Sequence, residues 1–129
     1  MRIFTLHEAN EALPVVRQAV DELLAARRRV VELEPALLPA VEAAARNGGS
    51  GVGGPVLAEV LHMRDAINVL RELGVQLKDL EVGLVDFPAR HEGRDVLLCW
   101  RHGEERVAFW HEADAGFAGR RPVVASEWE

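Results

Sequence analysis

Residues Val75–Arg121 read VQLKDLEVGLVDFPARHEGRDVLLCWRHGEERVAFWHEADAGFAGRR, and their hydrophobic pattern sets the architecture. Apolar and polar residues alternate with a period of two, which is typical of half-buried β-strands. The pattern predicts three strands and a short fourth, at Val82–Pro88, Arg94–Arg101, Arg106–Glu112 and Val75–Lys78. Short turns at 90–93 and 102–105 should connect the three strands as an antiparallel meander.

The residues before this stretch have the 3.6-residue period of helices. Thr5 and Glu8 have the spacing of a capping box, so a helix is expected to begin there. Apolar residues then recur at alternating three- and four-residue steps along Val16–Ala44. A second helix is expected at Pro55–Leu73, with Gly74 as its C-terminal cap. The two long helices should form an antiparallel hairpin.

Prolines and glycines predict interruptions in this helical half. Pro14 should either kink the first helix or separate a short N-terminal helix from the long one. Pro35 and Pro39 predict a bend or a broken end near Glu34. The segment 47–54, with five glycines, is expected to be a flexible loop that lacks the lysine of a phosphate-binding loop.

The length of 129 residues fits one domain, 1–129, with a helical part at 1–74 and a β-part at 75–129. The expected fold class is α+β. In this fold an antiparallel helical hairpin, preceded by a short N-terminal helix, packs on a small antiparallel meander of three to four strands.

Charge and cysteine content limit the function classes. The formal net charge is -6, and the acidic balance disfavours a nucleic-acid groove, which needs a basic face. An acidic surface is compatible with cations or a basic partner. The single cysteine cannot form an internal disulfide, and no segment resembles a signal peptide or a membrane span. The cytoplasm is the expected location.

The turn lengths predict a strand register and therefore two sheet faces. The predicted register sets Val96 opposite His111 and Phe87, and it sets Trp100 opposite Val107. His111 and Trp100 then lie on the face that covers the helices. The opposite face carries Leu84, Asp86, Leu97, Cys99, Ala108, Trp110 and Glu112. Because this face is too apolar for water, a second subunit, the C-terminal coil or a ligand should cover it, and a homodimer is favoured.

Acidic residues and one histidine suggest a metal site in the meander. The candidate ligands are Asp79, Asp86, His111 and Glu112. Carboxylates held close together cannot all stay ionised without a cation. Their oxygens would suit Mg²⁺, Mn²⁺ or Ca²⁺, and the addition of the imidazole would suit Zn²⁺, Mn²⁺ or Fe²⁺. Ordinary pairing of these carboxylates with arginines is the alternative.

Three further features each have two interpretations. Cys99, His102 and His111 give a C-x2-H-x8-H pattern, for which a buried inert Cys99 is favoured over zinc ligation. Lys78 is the only lysine, either by chance or because a site needs a compact ammonium. Arg120 could bind a small anionic ligand or tie the C-terminal segment to Asp86 or Glu112.

Several motifs resemble a bacterial family of uncharacterised proteins, domain of unknown function 2203. They are Phe4-Thr-Leu-x-Glu-Ala-Asn10, Gly83-Leu-Val-Asp-Phe-Pro88, Leu98-Cys-Trp-Arg101, Trp110-His-Glu112 and Gly116-Phe-Ala-Gly-Arg120. The resemblance implies no established activity. It marks polar and aromatic family positions at Lys78, Asp79, Asp86, Trp100, Glu104, His111, Glu112 and Arg120. Of these, Lys78, Trp100, Glu104 and Arg120 are the candidates for binding a ligand.

The sequence therefore predicts a small-ligand or divalent-metal-binding domain with its acidic and histidine cluster in the meander. Whether the chain is an enzyme, and which reaction it would catalyse, stays open. The alternative is a non-catalytic homo-oligomeric module for protein interaction.

Overall fold

The structure, a computed structural model, describes residues 2–47 and 53–128. The elements are α1 Leu6–Asn47, α2 Gly53–Leu73, β1 Gln76–Asp79, β2 Leu84–His91, β3 Arg94–Arg101, β4 Phe109–Glu112 and β5 Arg121–Pro122. The five strands form one antiparallel sheet in the order β1-β2-β3-β4-β5. The expected α+β class is confirmed, with β5 as an additional strand. Most of the expected glycine loop, residues 48–52, lies outside the described residues.

Helix α1 begins at the predicted capping box. The Glu8 amide donates to Thr5 Oγ1 at 3.0 Å, and the Thr5 amide donates to Glu8 Oε1 at 2.9 Å. The expected short N-terminal helix is wrong, because α1 continues through all three of its prolines as one helix of 42 residues. Buried side chains on both sides of Pro14, at Leu13 and Val16, hold this helix against the core, so packing outweighs the lost backbone hydrogen bond.

Helix α2 ends where the sequence predicts. Gly74 has a φ of 86°, its amide donates to the Arg71 carbonyl, and the Val75 amide donates to the Leu70 carbonyl. These two bonds satisfy carbonyls of the last helical turn, and glycine adopts the left-handed conformation without a steric penalty. The chain therefore reverses at Gly74 and enters β1.

The hairpin between β2 and β3 is tighter than expected. A two-residue turn, Glu92-Gly93, joins His91 to Arg94, and both turn residues have positive φ. Phe87 consequently pairs with Leu98 and not with Val96. This two-residue shift of register keeps every β2 and β3 side chain on its predicted face.

The pairing of β3 with β4 differs from the predicted register by one residue. Leu97 pairs with His111, and Cys99 pairs with Phe109. Val107 does not extend β4, because its amide donates to Asn10 Oδ1 and its carbonyl accepts from Asn10 Nδ2. Asn10 of α1 thus makes the hydrogen bonds that a neighbouring strand would otherwise make with Val107. Relative to the predicted register, every β4 residue lies on the opposite face of the sheet.

The two faces of the sheet are defined by this register. The front face, which joins the buried side chains of α1 in one core, carries Val85, Phe87, Ala89, Val96, Leu98, Trp100 and Trp110. The back face carries Leu84, Asp86, Leu97, Cys99, Phe109 and His111. Trp110 and His111 are therefore each on the face opposite to the one expected.

The back face is largely buried within the single chain. Leu84, Asp86, Cys99 and His111 are all buried, and the C-terminal segment contacts this face through Arg120, whose guanidinium carbon lies 3.9 Å from the centre of the Phe109 ring. The C-terminal coil was one of three groups expected to cover this face, together with a second subunit and a ligand. The apolar character of this face therefore does not by itself require a second subunit.

Candidate metal centre

Three adjacent strands bring Asp86, Cys99 and His111 together on the back face. Asp86 on β2 pairs directly with Cys99 on β3, and His111 on β4 pairs with Leu97, two residues from Cys99 on the same face. The small cysteine between the two longer side chains leaves room for them to meet above it. His111 Nε2 lies 3.0 Å from Asp86 Oδ2.

All three side chains are enclosed. The relative exposure of Asp86 is 1%, that of Cys99 is 0% and that of His111 is 3%. The larger cavities of the described chain are lined by other residues. An ionisable cluster this deeply buried is costly unless its charges and hydrogen bonds are compensated within the site.

The His111 ring is fixed by a second hydrogen bond. Its Nδ1 lies 2.7 Å from the Glu112 carbonyl oxygen, and only a protonated nitrogen can donate to that acceptor. Nε2 is therefore the atom directed at Asp86. A ligating histidine commonly donates its other ring N–H to a carbonyl or a carboxylate in this way.

Asp86 has one oxygen that lacks a partner. Oδ1 is buried and has no hydrogen-bond partner among the described residues, although Oδ2 contacts His111. A buried carboxylate oxygen without a protein donor is rare in native proteins, so Oδ1 is available to accept a proton or to bind a cation.

Cys99 completes the donor set. One carboxylate oxygen of Asp86, the sulfur of Cys99 and one ring nitrogen of His111 all lie within 4.8 Å of one another. Burial, and next the charge of Asp86, raise the pKa of the Cys99 thiol to about 12. The thiol is therefore protonated at neutral pH unless a cation in the cluster stabilises the thiolate.

The donor atoms fit a tetrahedral zinc-type ion. Zinc binds thiolate at about 2.3 Å and imidazole or carboxylate at about 2.1 Å, so tetrahedral ligand atoms stand roughly 3.4–3.6 Å apart. The observed separations, 3.0 Å between Asp86 and His111 and at most 4.8 Å within the cluster, require shifts of about an ångström or less.

The other two predicted metal ligands lie elsewhere. Asp79 Oδ1 accepts hydrogen bonds from the Glu81 and Val82 amides, at 2.8 and 3.3 Å, and holds the turn between β1 and β2. Glu112 pairs with Arg94 at 2.6 Å. The structure thus brings together Asp86 and His111 from the predicted set of four, and it adds Cys99.

The predicted ligand-binding residues fall into two groups. Trp100, Glu104 and Arg120 meet, but they bind one another: Trp100 Nε1 donates to the Glu104 carbonyl, and Arg120 Nη2 donates to both Glu104 carboxylate oxygens at 2.9 and 2.8 Å. Lys78 is exposed on β1, the edge strand at the other side of the sheet.

Arg120 is packed beside the cluster. Its guanidinium lies over the rings of Phe109 and Phe117, and Phe109 is the strand partner of Cys99. Its Nε is buried without a hydrogen-bond partner among the described residues. The ion pair of Arg120 with Glu104 therefore closes the back face next to the three donors.

An inert Cys99 was favoured because residues 99 and 102 point to opposite faces of a regular strand, and the predicted register also placed His111 on the front face, away from Cys99. His102 is the histidine nearer to Cys99 in the C-x2-H-x8-H pattern, but it pairs with Asp21 of α1 at 2.6 Å. No local signal could have found the site, because the contact of the Asn10 amide with Val107, next to the start of β4, joins residues far apart in the sequence.

Comparisons with known proteins identify the family without adding an activity. No curated protein and no solved structure matches this chain. No helix among the described residues combines the length and the apolar character needed to cross a membrane. A family model described as an uncharacterised conserved protein, DUF2203, matches residues 2–123, and the chain therefore belongs to that family.

Proposed function

We propose that this protein binds one divalent transition-metal ion, with Zn²⁺ as the first choice, through Asp86, Cys99 and His111. The observation that carries the proposal is the convergence of an oxygen, a sulfur and a nitrogen donor within 4.8 Å at a buried position. Thiolate and imidazole together select zinc-like ions over Mg²⁺ and Ca²⁺, which prefer oxygen ligands.

The two unsatisfied features of the cluster support the same ion. Oδ1 of Asp86 lacks a partner among the described residues, so either oxygen of this carboxylate can bind the ion, which then has three protein ligands. The metal charge would also release the Cys99 proton, which burial otherwise retains. One ion would therefore compensate the carboxylate and the thiolate together.

The burial of the cluster, and not its number of protein ligands, favours a structural or regulatory ion over a catalytic one. Catalytic zinc keeps an open position for water or substrate, whereas structural zinc is closed by protein ligands. Because all three donors are buried, the proposed ion would cross-link β2, β3 and β4. A reduced cysteine ligand fits a reducing compartment, and we place the protein in the cytoplasm for this reason.

Cobalt substitution tests the proposal. The full chain is unfolded in urea with chelator, then refolded with Co²⁺, so that burial does not prevent metal entry. Because Cys99 is the only cysteine, a near-ultraviolet thiolate-to-cobalt band reports this site alone. We expect the band at one ion per chain, its loss in Cys99→Ser, and its displacement by Zn²⁺.

A matched histidine control separates the cluster from nonspecific binding. His111→Asn should weaken cobalt binding at least tenfold, whereas His102→Asn, which changes a histidine outside the cluster, should leave it unchanged. If no thiolate band forms after refolding with excess Co²⁺, the metal site does not exist.

A further inference from the structure

The helical hairpin extends beyond the part of the protein that buries it. Among the described residues, the buried core positions of α1 end at Ala26 and those of α2 begin at Ala66. The remainder, which we call the distal hairpin, comprises 27–43 of α1 and 54–65 of α2. It exposes Val31, Leu38, Leu57, Val60 and Leu61 at 38–66% of their surface.

The apolar residues of α1 continue a stripe that starts under the sheet. Leu24 packs against the core, and Val31 and Leu38 follow it at intervals of seven residues. Side chains seven residues apart lie on nearly the same side of a helix. Val31 and Leu38 therefore face the side on which the sheet lies, beyond its edge.

The apolar residues of α2 turn to the same side. Residues Glu59, Met63 and Ala66 face α1, since Glu59 pairs with Arg29 at 2.6 Å and the other two continue at helical spacing. Successive residues of a helix are rotated by about 100°, which turns Leu57 and Val60 away from the line that faces α1. Because α2 is antiparallel to α1, this rotation brings them toward the side of the hairpin on which Val31 and Leu38 lie. The distal hairpin thus presents one apolar face.

The spacing along α1 is self-complementary. Arg27, Val31, Leu38 and Glu42 are separated by four, seven and four residues, so their spacing reads the same in both directions. The two inner residues are apolar, and the two outer residues carry opposite charges. A two-fold axis midway between Val31 and Leu38 places Val31 on the partner's Leu38 and Arg27 on the partner's Glu42. Such an interface is isologous, as expected for a homodimer.

The face is large enough for a weak specific interface. Sixteen residues of α1 span about 24 Å, and two helices side by side are about 20 Å wide. The face therefore covers about 500 Å² per protomer, so a dimer would bury about 1,000 Å², the lower limit for a specific interface. Arg27 pairs with Glu81 of the same chain at 3.8 Å, a distance long enough for Arg27 to exchange Glu81 for Glu42 of the second copy.

We propose that two copies of this chain associate in an antiparallel arrangement through their distal hairpins and form a four-helix bundle. The occupant of the apolar face is a second copy because the charge order matches itself. The proposal is independent of the metal site, which lies on the back face of the sheet.

Sedimentation equilibrium of the full chain over a wide concentration range tests the association. We expect a mass that rises from one chain of 14.2 kDa toward two as concentration increases, with or without chelator. Leu38→Glu should weaken dimerisation at least tenfold. Val15→Glu, which changes an exposed apolar residue of α1 outside the distal hairpin, should leave it unchanged.

A charge exchange tests the predicted register. Arg27→Glu should weaken the dimer, and the double variant Arg27→Glu with Glu42→Arg should restore it, because both charges change sign together. A monomer at every concentration overturns the proposal. Dimerisation that persists in Leu38→Glu, or a double variant no better than Arg27→Glu, also overturns it.

Discussion

Removal of His111 from the metal-free protein should lower its stability, because the imidazole holds a buried hydrogen bond. The imidazole lies 3.0 Å from Asp86, and both side chains are buried. Removing one partner of a buried hydrogen bond leaves the other polar group unsatisfied and costs about 1–3 kcal/mol. We therefore expect His111→Leu to lower the free energy of unfolding by that amount when chelator is present.

The expected change in melting temperature follows from the chain length. An unfolding entropy of about 2.1 cal/mol/K per residue gives about 0.27 kcal/mol/K for this chain, so Tm should fall by about 4–11 °C. Urea denaturation followed by circular dichroism measures the same loss independently.

The double variant distinguishes a buried pair from simple packing. Asp86→Leu combined with His111→Leu removes both polar groups, so it should recover most of the stability that His111→Leu loses. If His111→Leu costs less than about 1 kcal/mol, or if the double variant is less stable than either single variant, the buried pair does not have the role described.

Three further predictions concern other parts of the fold. Gly83→Ala should cost about 2–4 kcal/mol in urea denaturation, because φ is +72° and a Cβ would stand 2.8 Å from a neighbouring side chain; Gly93→Ala, with open space around it, should cost less. Cys99 should react with a thiol reagent only on unfolding, because burial raises its pKa to about 12, and rapid native labelling would contradict this. The hydrogen bond from Arg29 lowers the pKa of Glu59 below its ordinary value of 4.5. The pairing therefore stabilises the fold above pH 4.5, and this stabilisation is lost as the pH falls through the lowered pKa. Relative to the native chain, Glu59→Gln should therefore lose less stability on acidification in pH-dependent melting.

The elements themselves could be predicted because their signals are local. The capping box at Thr5 and Glu8, the cap at Gly74 and the strand at Arg94–Arg101 all lie where the sequence predicts them. Each depends on hydrogen bonds or side-chain periods within a few residues. The continuity of α1 through Pro14 could not be predicted from local signals, because it depends on tertiary packing.

The site was predicted only in part because it depends on long-range register. Asp86 and Cys99 were placed on the back face correctly, since a two-residue error in a hairpin does not change the face. His111 was placed on the wrong face, since the error there was one residue. Its cause, the contact of Asn10 with Val107, spans 97 positions in the chain, and strand periodicity cannot report it.

X-ray absorption at the zinc edge of zinc-refolded protein examines the coordination directly. We expect one sulfur at about 2.3 Å with nitrogen and oxygen ligands at about 2.1 Å, at one zinc per chain, and loss of the sulfur shell in Cys99→Ser. A shell of oxygen and nitrogen alone in the native sequence, or zinc retained equally by Cys99→Ser, would contradict it.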